Sequence, residues 1–278
     1  MSLLKHYKPT TPARRHSSVI NFSEIVTTSK PYKKLIIRKK NMAGRNNTGK
    51  ITIRHRGGGY RNMVRQIDFK RNFPEGFRVI SIEYDPGRTS FICLVTDLFS
   101  GTKKYILHSK GLKVGEKYGL DQEITEGNQI ALSNVPVGSF VSQIEINPNG
   151  GAKMVRSAGN YAIVTAQDEK YTTLKLPSGE IRKFLGVCRC VIGRIGKEVH
   201  NQVRYGKAGR IRHMGFRPTV RGKVMNPVDH PHGGGEARNS IGMKYPKTPW
   251  GKHAIGVKTR DPKKASSRVI VSRRVKKK

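Results

Sequence analysis

Acidic side chains are scarce in this chain: 18 Asp and Glu stand against 55 Lys and Arg in 278 residues, a formal net charge of +37. Such a surplus repels itself unless a polyanion neutralises it. Apolar residues make up 35% without glycine; with the 30 glycines counted the share lies near the lower end of the roughly 45–50% usual for soluble domains. No apolar run approaches the length of a membrane span, and the opening MSLLKHYKPTTPARRHSS lacks the apolar stretch of a signal peptide, so the chain is expected to stay where it is made. Cysteine is rare. Cys93, Cys188 and Cys190 are odd in number, which argues against a disulfide framework and fits a reducing interior. Cys188 and Cys190 share one face of a strand at period-two spacing and read as small buried hydrophobes. Zinc is not expected there, because a closed site needs four ligands and no second Cys pair follows.

Long amphipathic helices are missing as well; short β-rich runs take their place. FRVISIEYD (77–85), FICLVTDL (91–98), KKYILH (103–108), QIALSNV (129–135) and FVSQIEI (140–146) come first. MVRSAGNYAIVTAQD (154–168), YTTLKL (171–176), EIRKFL (180–185) and VCRCVIGRI (187–195) follow. Several alternate with period two, DPGR (85–88) and PSG (177–179) have turn chemistry, and the close spacing predicts small all-β barrels. The Gly-rich stretch 109–128 marks a boundary between two of them.

The charge divides the chain differently. Residues 1–70 hold 17 basic and 2 acidic side chains, residues 71–196 hold 16 and 12, and residues 197–278 hold 22 and 4. The middle is therefore nearly an ordinary soluble domain, while both ends are polycations too poor in apolar residues to fold alone. The expected division is a basic extension over 1–70, a first barrel over 71–125, a second over 126–196 and a basic Gly/Pro-rich extension over 197–278. The arms lack the apolar face of an interfacial helix, so a membrane partner is not expected.

Three glycine motifs need sorting. GRNNTGKI (44–51) has the G-x-x-x-x-G-K skeleton of a phosphate-binding loop, but Ile51 stands where magnesium needs a hydroxyl and KKNMA precedes it where a strand is required. An NTPase is rejected. In IRHRGGGYRNMVR (53–65), glycines 57–59 allow backbone amides to reach phosphate oxygens, Arg54, His55, Arg56, Arg61 and Arg65 flank them, and Tyr60 is placed to stack on an unpaired base. VDHPHGGGEAR (228–238) repeats that grammar. Asp229, His230, His232 and Glu236 are metal-ligand types, yet no second cluster completes a coordination sphere. Asp229 could orient His230 as a general base, but no nucleophile accompanies it. The loop reads instead as backbone laid against RNA.

The stretches YKPTTPARR (7–15), GKITIRHRGGGYR (49–61), IDFKR (67–71), IEYDPGR (82–88), YILH (105–108), LKLPSGEIR (174–182), VRGKVMNPVDHPHGGGEAR (220–238) and TPWG (248–251) closely resemble the bacterial form of the large-subunit ribosomal protein two family. The resemblance runs from the first arm to the last. It implies an OB-fold barrel followed by a Src-homology-3-like barrel, with both extensions threaded into large-subunit rRNA. It implies primary rRNA binding in assembly, a part in subunit association and proximity to tRNA and the peptidyl transferase centre. Expected partners are large-subunit rRNA, small-subunit rRNA across the interface, tRNA nearby and other ribosomal proteins, with no homo-oligomer. No cofactor is expected beyond magnesium belonging to the rRNA, and the expected location is a cytoplasmic ribosome, with an organellar ribosome as the alternative. Carried onto this chain, the rRNA contacts are Arg54, His55, Arg56, Gly57, Gly58, Gly59, Tyr60, Arg61, Arg65, Arg204, Lys207, Arg210, Arg212, Arg217 and Arg221. The loop nearest the peptidyl transferase centre is Asp229, His230, His232, Gly233, Gly234 and Gly235. A peptidyl transferase role has been attributed in the family to the histidine matching His230; here it is taken as a positioning or assembly residue, and no catalytic residue is assigned. Ala237 departs from the family, which has glycine there.

Overall fold

The computed structural model describes residues 3–38, 40–60, 63–119, 124–236, 238 and 240–274. The chain falls into two compact units: Met1–Lys40 with Arg61–Lys207 and Arg268–Lys278, and Asn41–Tyr60 with Ala208–Ser267.

In the first unit the arm supplies strands β1 (Leu4–His6), β2 (Ser18–Ile20), β3 (Ile36–Arg38) and β4 (Met63–Arg65). These pair as β1–β2 and β3–β4, both antiparallel. Next come β5 (Phe77–Glu83), β6 (Ile92–Asp97), β7 (Lys103–Leu107) and β8 (Lys117–Tyr118), in sheet order β7-β6-β5-β8. The second barrel is built from β9 (Gln129–Ala131), β10 (Phe140–Ser142), β11 (Ile144–Glu145), β12 (Ala152–Met154), β13 (Ala162–Gln167), β14 (Tyr171–Lys175), β15 (Ile181–Leu185) and β16 (Arg189–Ile192). Its main sheet runs β17-β15-β14-β13-β10-β16-β9, with β11 paired to β12. The edge strand β17 (Ile270–Ser272) returns from the far end of the chain to pair with β15.

Each barrel has its own core. Phe77, Val79, Phe91, Cys93, Val95 and Ile106 fill the first; Leu132, Val141, Ile144, Val164, Leu174, Cys188 and Cys190 fill the second. All three cysteines are buried and unpaired, and burial pushes the Cys93 thiol up to about 12, so it behaves as a hydrophobe.

Strands β5–β7, β9–β11 and β13–β16 lie within the β-rich runs, whereas β1–β4, β8 and β17 lie outside them and β12 overlaps only at Met154; three further differences stand out. In β6 both faces are buried, because Ile92, Leu94, Tyr105 and Leu107 form a second cluster against Tyr32, Leu35, Ile67 and Phe69. The first arm is thus partly a cover for the barrel, which alternation within β6 alone does not reveal. The run 154–168 is not one strand: Val155 (φ 51°) and Gly159 (φ 68°) turn the backbone left-handed between β12 and β13. The run 129–135 bends after β9 into a 3-10 turn at Leu132–Asn134.

Candidate nucleic-acid interface

The second unit holds 17 basic and 3 acidic side chains in 80 residues. Among its described residues only Gly57 and His230 are buried, and neither is a core hydrophobe. Apolar side chains face outward, among them Tyr60, Phe216, Val228 and Trp250, the last two 91% and 75% exposed. A unit of this size cannot rest on the hydrophobic effect without buried apolar area. Its backbone is held instead by hydrogen bonds between two distant segments.

Residues 55–60 run alongside 213–217. The Gly57 amide donates to the Gly215 carbonyl at 2.9 Å, the Tyr60 amide to His213 at 2.9 Å, and the Arg217 amide to His55 at 3.0 Å. Side chains reinforce this line. The Arg56 guanidinium lies 4.2 Å from the Phe216 ring centre, and the Tyr60 and His213 rings are 4.5 Å apart. Arg212, on the short helix α1 (Ala208–His213), donates from Nη1 to the carbonyls of Gly57 (3.4 Å) and Phe216 (3.1 Å). The approach is close enough that a Cβ on Gly59 would fall 2.6 Å from the Gly215 nitrogen. Glycine is required there for space.

The expected contact residues therefore separate. Arg54, His55, Arg56, Gly57, Gly58, Gly59, Tyr60, Arg210, Arg212, Arg217 and Arg221 belong to the second unit. Arg54, Arg56, Tyr60, Arg217 and Arg221 are exposed there. Arg65, Arg204 and Lys207 belong to the first unit; Arg204 and Lys207 are exposed, while Arg65 lies 3.9 Å from Asp85. Arg61 and Ala237 lie outside the described residues.

The Asp229–Gly235 loop is closed by its own histidines. The His230 ring is 7% exposed, its Nδ1 accepts the His232 amide at 3.0 Å, and the His232 Nε2 accepts the Lys247 amide at 2.8 Å. The rings sit 4.7 Å apart. Gly222 makes room for this, since a Cβ there would stand 2.6 Å from the imidazole. Gly233 donates to the His230 carbonyl at 2.8 Å and Gly234 to Met225 at 3.1 Å, leaving Asp229, Gly234 and Gly235 exposed. Among the described residues, no three His, Cys, Asp or Glu side chains converge on a metal position.

Sequence reasoning missed one basic cluster in the first unit. Arg88 and Arg156 flank Phe69, at 5.1 and 4.7 Å from its ring centre, while Asp85 pairs with Arg88 at 3.4 Å and with Arg65. Burial lowers the Arg88 pKa, with Asp85 opposing. These residues come from 65, 69, 85, 88 and 156, and no local motif joins them. DPGR was legible as a turn, not as half of an arginine pair.

A polycationic unit with no buried apolar side chain among its described residues, in one chain with two β-barrels, defines a nucleic-acid-binding protein. Comparison with known families makes that class particular: residues 32–118 match the model of "Ribosomal Proteins L2, RNA binding N-terminal domain", and residues 125–251 match that of "Ribosomal Proteins L2, C-terminal domain". These matches cover most of the chain, which belongs to the Ribosomal Proteins L2 family. It is a structural, RNA-binding constituent of the large ribosomal subunit, located in the ribosome, with an all-β fold of OB and Src-homology-3-like barrels.

Proposed function

We propose that this chain is a primary rRNA-binding protein of the large subunit, supporting assembly, subunit association, tRNA binding and the surroundings of the peptidyl transferase centre. The observation that carries this reading is the second unit, with 17 basic against 3 acidic side chains and no buried apolar side chain among its described residues. Basic side chains neutralise phosphates and release counterions. Exposed Tyr60 and Trp250 offer flat apolar faces to unpaired bases, because the major groove of A-form RNA is closed to side chains.

In this reading the contacts run through Arg54, Arg56, Arg61, Arg65, Arg204, Lys207, Arg210, Arg217 and Arg221, with Arg88 and Arg156 added. Arg212 acts through the backbone it ties down. The four-part division proposed from the sequence stands beside this: extensions 1–70 and 197–278 around barrels 71–125 and 126–196. Large-subunit rRNA is the main partner. Small-subunit rRNA, tRNA and other ribosomal proteins are neighbours, the protein acts as a single copy in a cytoplasmic ribosome, and the only metal is magnesium bound by the rRNA.

His230 is a positioning residue. A ring nitrogen accepting an amide hydrogen bond carries no proton, so Nδ1, which accepts from His232, leaves the proton of the neutral ring on Nε2. That tautomer offers no free lone pair to a substrate. Replacing His230 with Gln tests this: assembled particles that transfer peptide at near wild-type rate exclude a base role, whereas assembled particles with abolished transfer overturn the positioning role. The overall reading is tested by sedimenting a native lysate at low and then high salt. Stoichiometric retention on the large subunit supports it, and release as free protein refutes it.

A further inference from the structure

Arg71 is a buried guanidinium without an adequate partner. It is 3% exposed, and the only hydrogen bond of its guanidinium among the described residues runs from Nη1 to the Gly127 carbonyl at 3.3 Å. Nε and Nη2 have none. Those two donors form one edge of the guanidinium plane, the edge that grips a phosphate or carboxylate with two parallel hydrogen bonds. The Phe77 ring, at 5.4 Å, offers a face to the cation but accepts no such pair. The backbone is strained to hold the side chain inward, with Arg71 at φ 51°. Residues in this region cost about 1–3 kcal/mol and persist where surroundings enforce them. Burial pushes the guanidinium down to about 10, still charged at neutral pH.

Arg71 lines a cleft of about 380 Å³ in the first unit, within the range of small-ligand sites. A second arginine, Arg189, stands in its wall with the amide side chains of Asn72 and Gln129, and Phe73 and Pro74 supply an apolar wall. No carboxylate is among the described lining residues. Asp68 accepts the Arg71 amide at 3.2 Å and favours the charged guanidinium, but among the described residues it makes no hydrogen bond to that group, so two guanidinium groups and two unpaired donors leave the cleft in need of an anion.

We propose that this cleft is a binding site for a free phosphate monoester of mononucleotide size, its phosphate on Arg71 and Arg189 and its flat apolar part against Phe73 and Pro74. A backbone phosphate tied into folded RNA is poorly suited to follow Arg71 into the protein, because the chain on both sides must enter with it. A terminal phosphate on a small molecule is free to do so. The site does not depend on the ribosomal role, and failure of either leaves the other standing.

The test uses the full chain, isotope-labelled, at constant ionic strength to level the general attraction of a polycation for anions. The Nε–Hε signal of Arg71 is followed during titration with adenosine monophosphate, with inorganic phosphate and with an RNA hairpin. The expected result is a saturable shift with the mononucleotide, tighter than with inorganic phosphate. In Arg189→Gln the affinity falls about tenfold, the size of one lost charge-assisted contact, and in Arg71→Met saturable binding disappears. Arg189 is exposed on β16, so that variant keeps the test usable if Arg71→Met does not fold. A linear drift without saturation, a shift produced by the hairpin alone, or unchanged affinity in Arg189→Gln overturns the proposal.

Discussion

Replacing Gly59 with Ala probes what holds the second unit together. The added Cβ would lie 2.6 Å from the Gly215 nitrogen, 2.7 Å from its Cα and 2.9 Å from the His213 carbonyl oxygen. Backbone atoms cannot rotate aside as a side-chain tip can, so the two segments must separate by about 1 Å to reach ordinary contact. The hydrogen bonds from Gly57, Tyr60 and Arg217 span this gap at 2.9 to 3.0 Å and do not survive that displacement. At about 1 kcal/mol net each, their loss amounts to about 3 kcal/mol, roughly a hundredfold in the equilibrium for closing the pairing. No buried apolar side chain in the described part of the unit offsets it. Gly209 is the control, since its Cβ position is open space inside α1, where alanine is favoured by about 0.5–1 kcal/mol. Hydrogen exchange on the full chain should show the Gly57, Tyr60 and Arg217 amides losing protection in Gly59→Ala and keeping it in Gly209→Ala. Equal protection of those amides in wild type and Gly59→Ala would refute the reasoning.

Binding of the free protein to large-subunit rRNA should weaken steeply with salt, with log K falling by about 0.7–0.9 per phosphate contacted; Arg54→Gln should lower that slope by about one contact while leaving melting unchanged. Burial pushes the Lys197 ammonium down to about 8 from 10.5, even though Phe22, Tyr84 and Phe91 face it at 5.7, 5.1 and 4.7 Å. The unfolded chain therefore binds more protons between those values, so wild-type stability should rise with pH across that window, and Lys197→Met should lack the rise in denaturant titrations. His108 is held neutral by burial, its pKa lowered to about 4 from 6.5. Here stability should fall as pH drops from about 6.5 to about 4, and a His108→Gln variant with an equally steep fall would show that other groups are responsible.

The barrels were legible because their signals are local. Alternating apolar residues in β5, tight turns at DPGR and PSG, and two cysteines at period-two spacing in a β-rich run each act over a few residues. The charge of the ends is legible from composition, but their packing is not: residues 1–40, 197–207 and 268–278 belong to the unit that holds the barrels, and Ile20 lies in its core. What stayed hidden was pairing across the chain. HRGGGY and HPHGGG were read as similar loops, but the first is paired along 213–217, while the second folds on itself through His230, His232 and Lys247. Likewise, the arm residues Tyr32 and Leu35 cover β6, and β17 completes the edge of a barrel whose other strands lie about a hundred positions earlier. Apart from the HPHGGG loop, each depends on contacts of large sequence separation, which no window of residues records.

Those long-range pairings bear on how the second unit meets RNA. Its first segment, 41–60, leaves and re-enters the first unit near β3 and β4, which pair with each other. Its second segment, 208–267, is closed by β17 on β15. Both segments are therefore closed loops, not free tails. Closing a loop removes conformational freedom before binding, and the cost grows only slowly with loop length, so a long segment can be tied at both ends at little extra expense. A free polycationic tail loses all its ordering entropy when it meets RNA, whereas a tied loop has lost part of it in advance. Cutting the tie while leaving every basic residue in place separates charge from preorganisation. Ile270→Pro in β17 removes the amide that a ladder requires and keeps the charge at +37. The salt slope of rRNA binding should then be unchanged, because the same phosphates are contacted, while affinity falls at every salt concentration by a constant factor. A changed slope with unchanged affinity at low salt would mean that β17 acts by presenting charge and not by closing the loop.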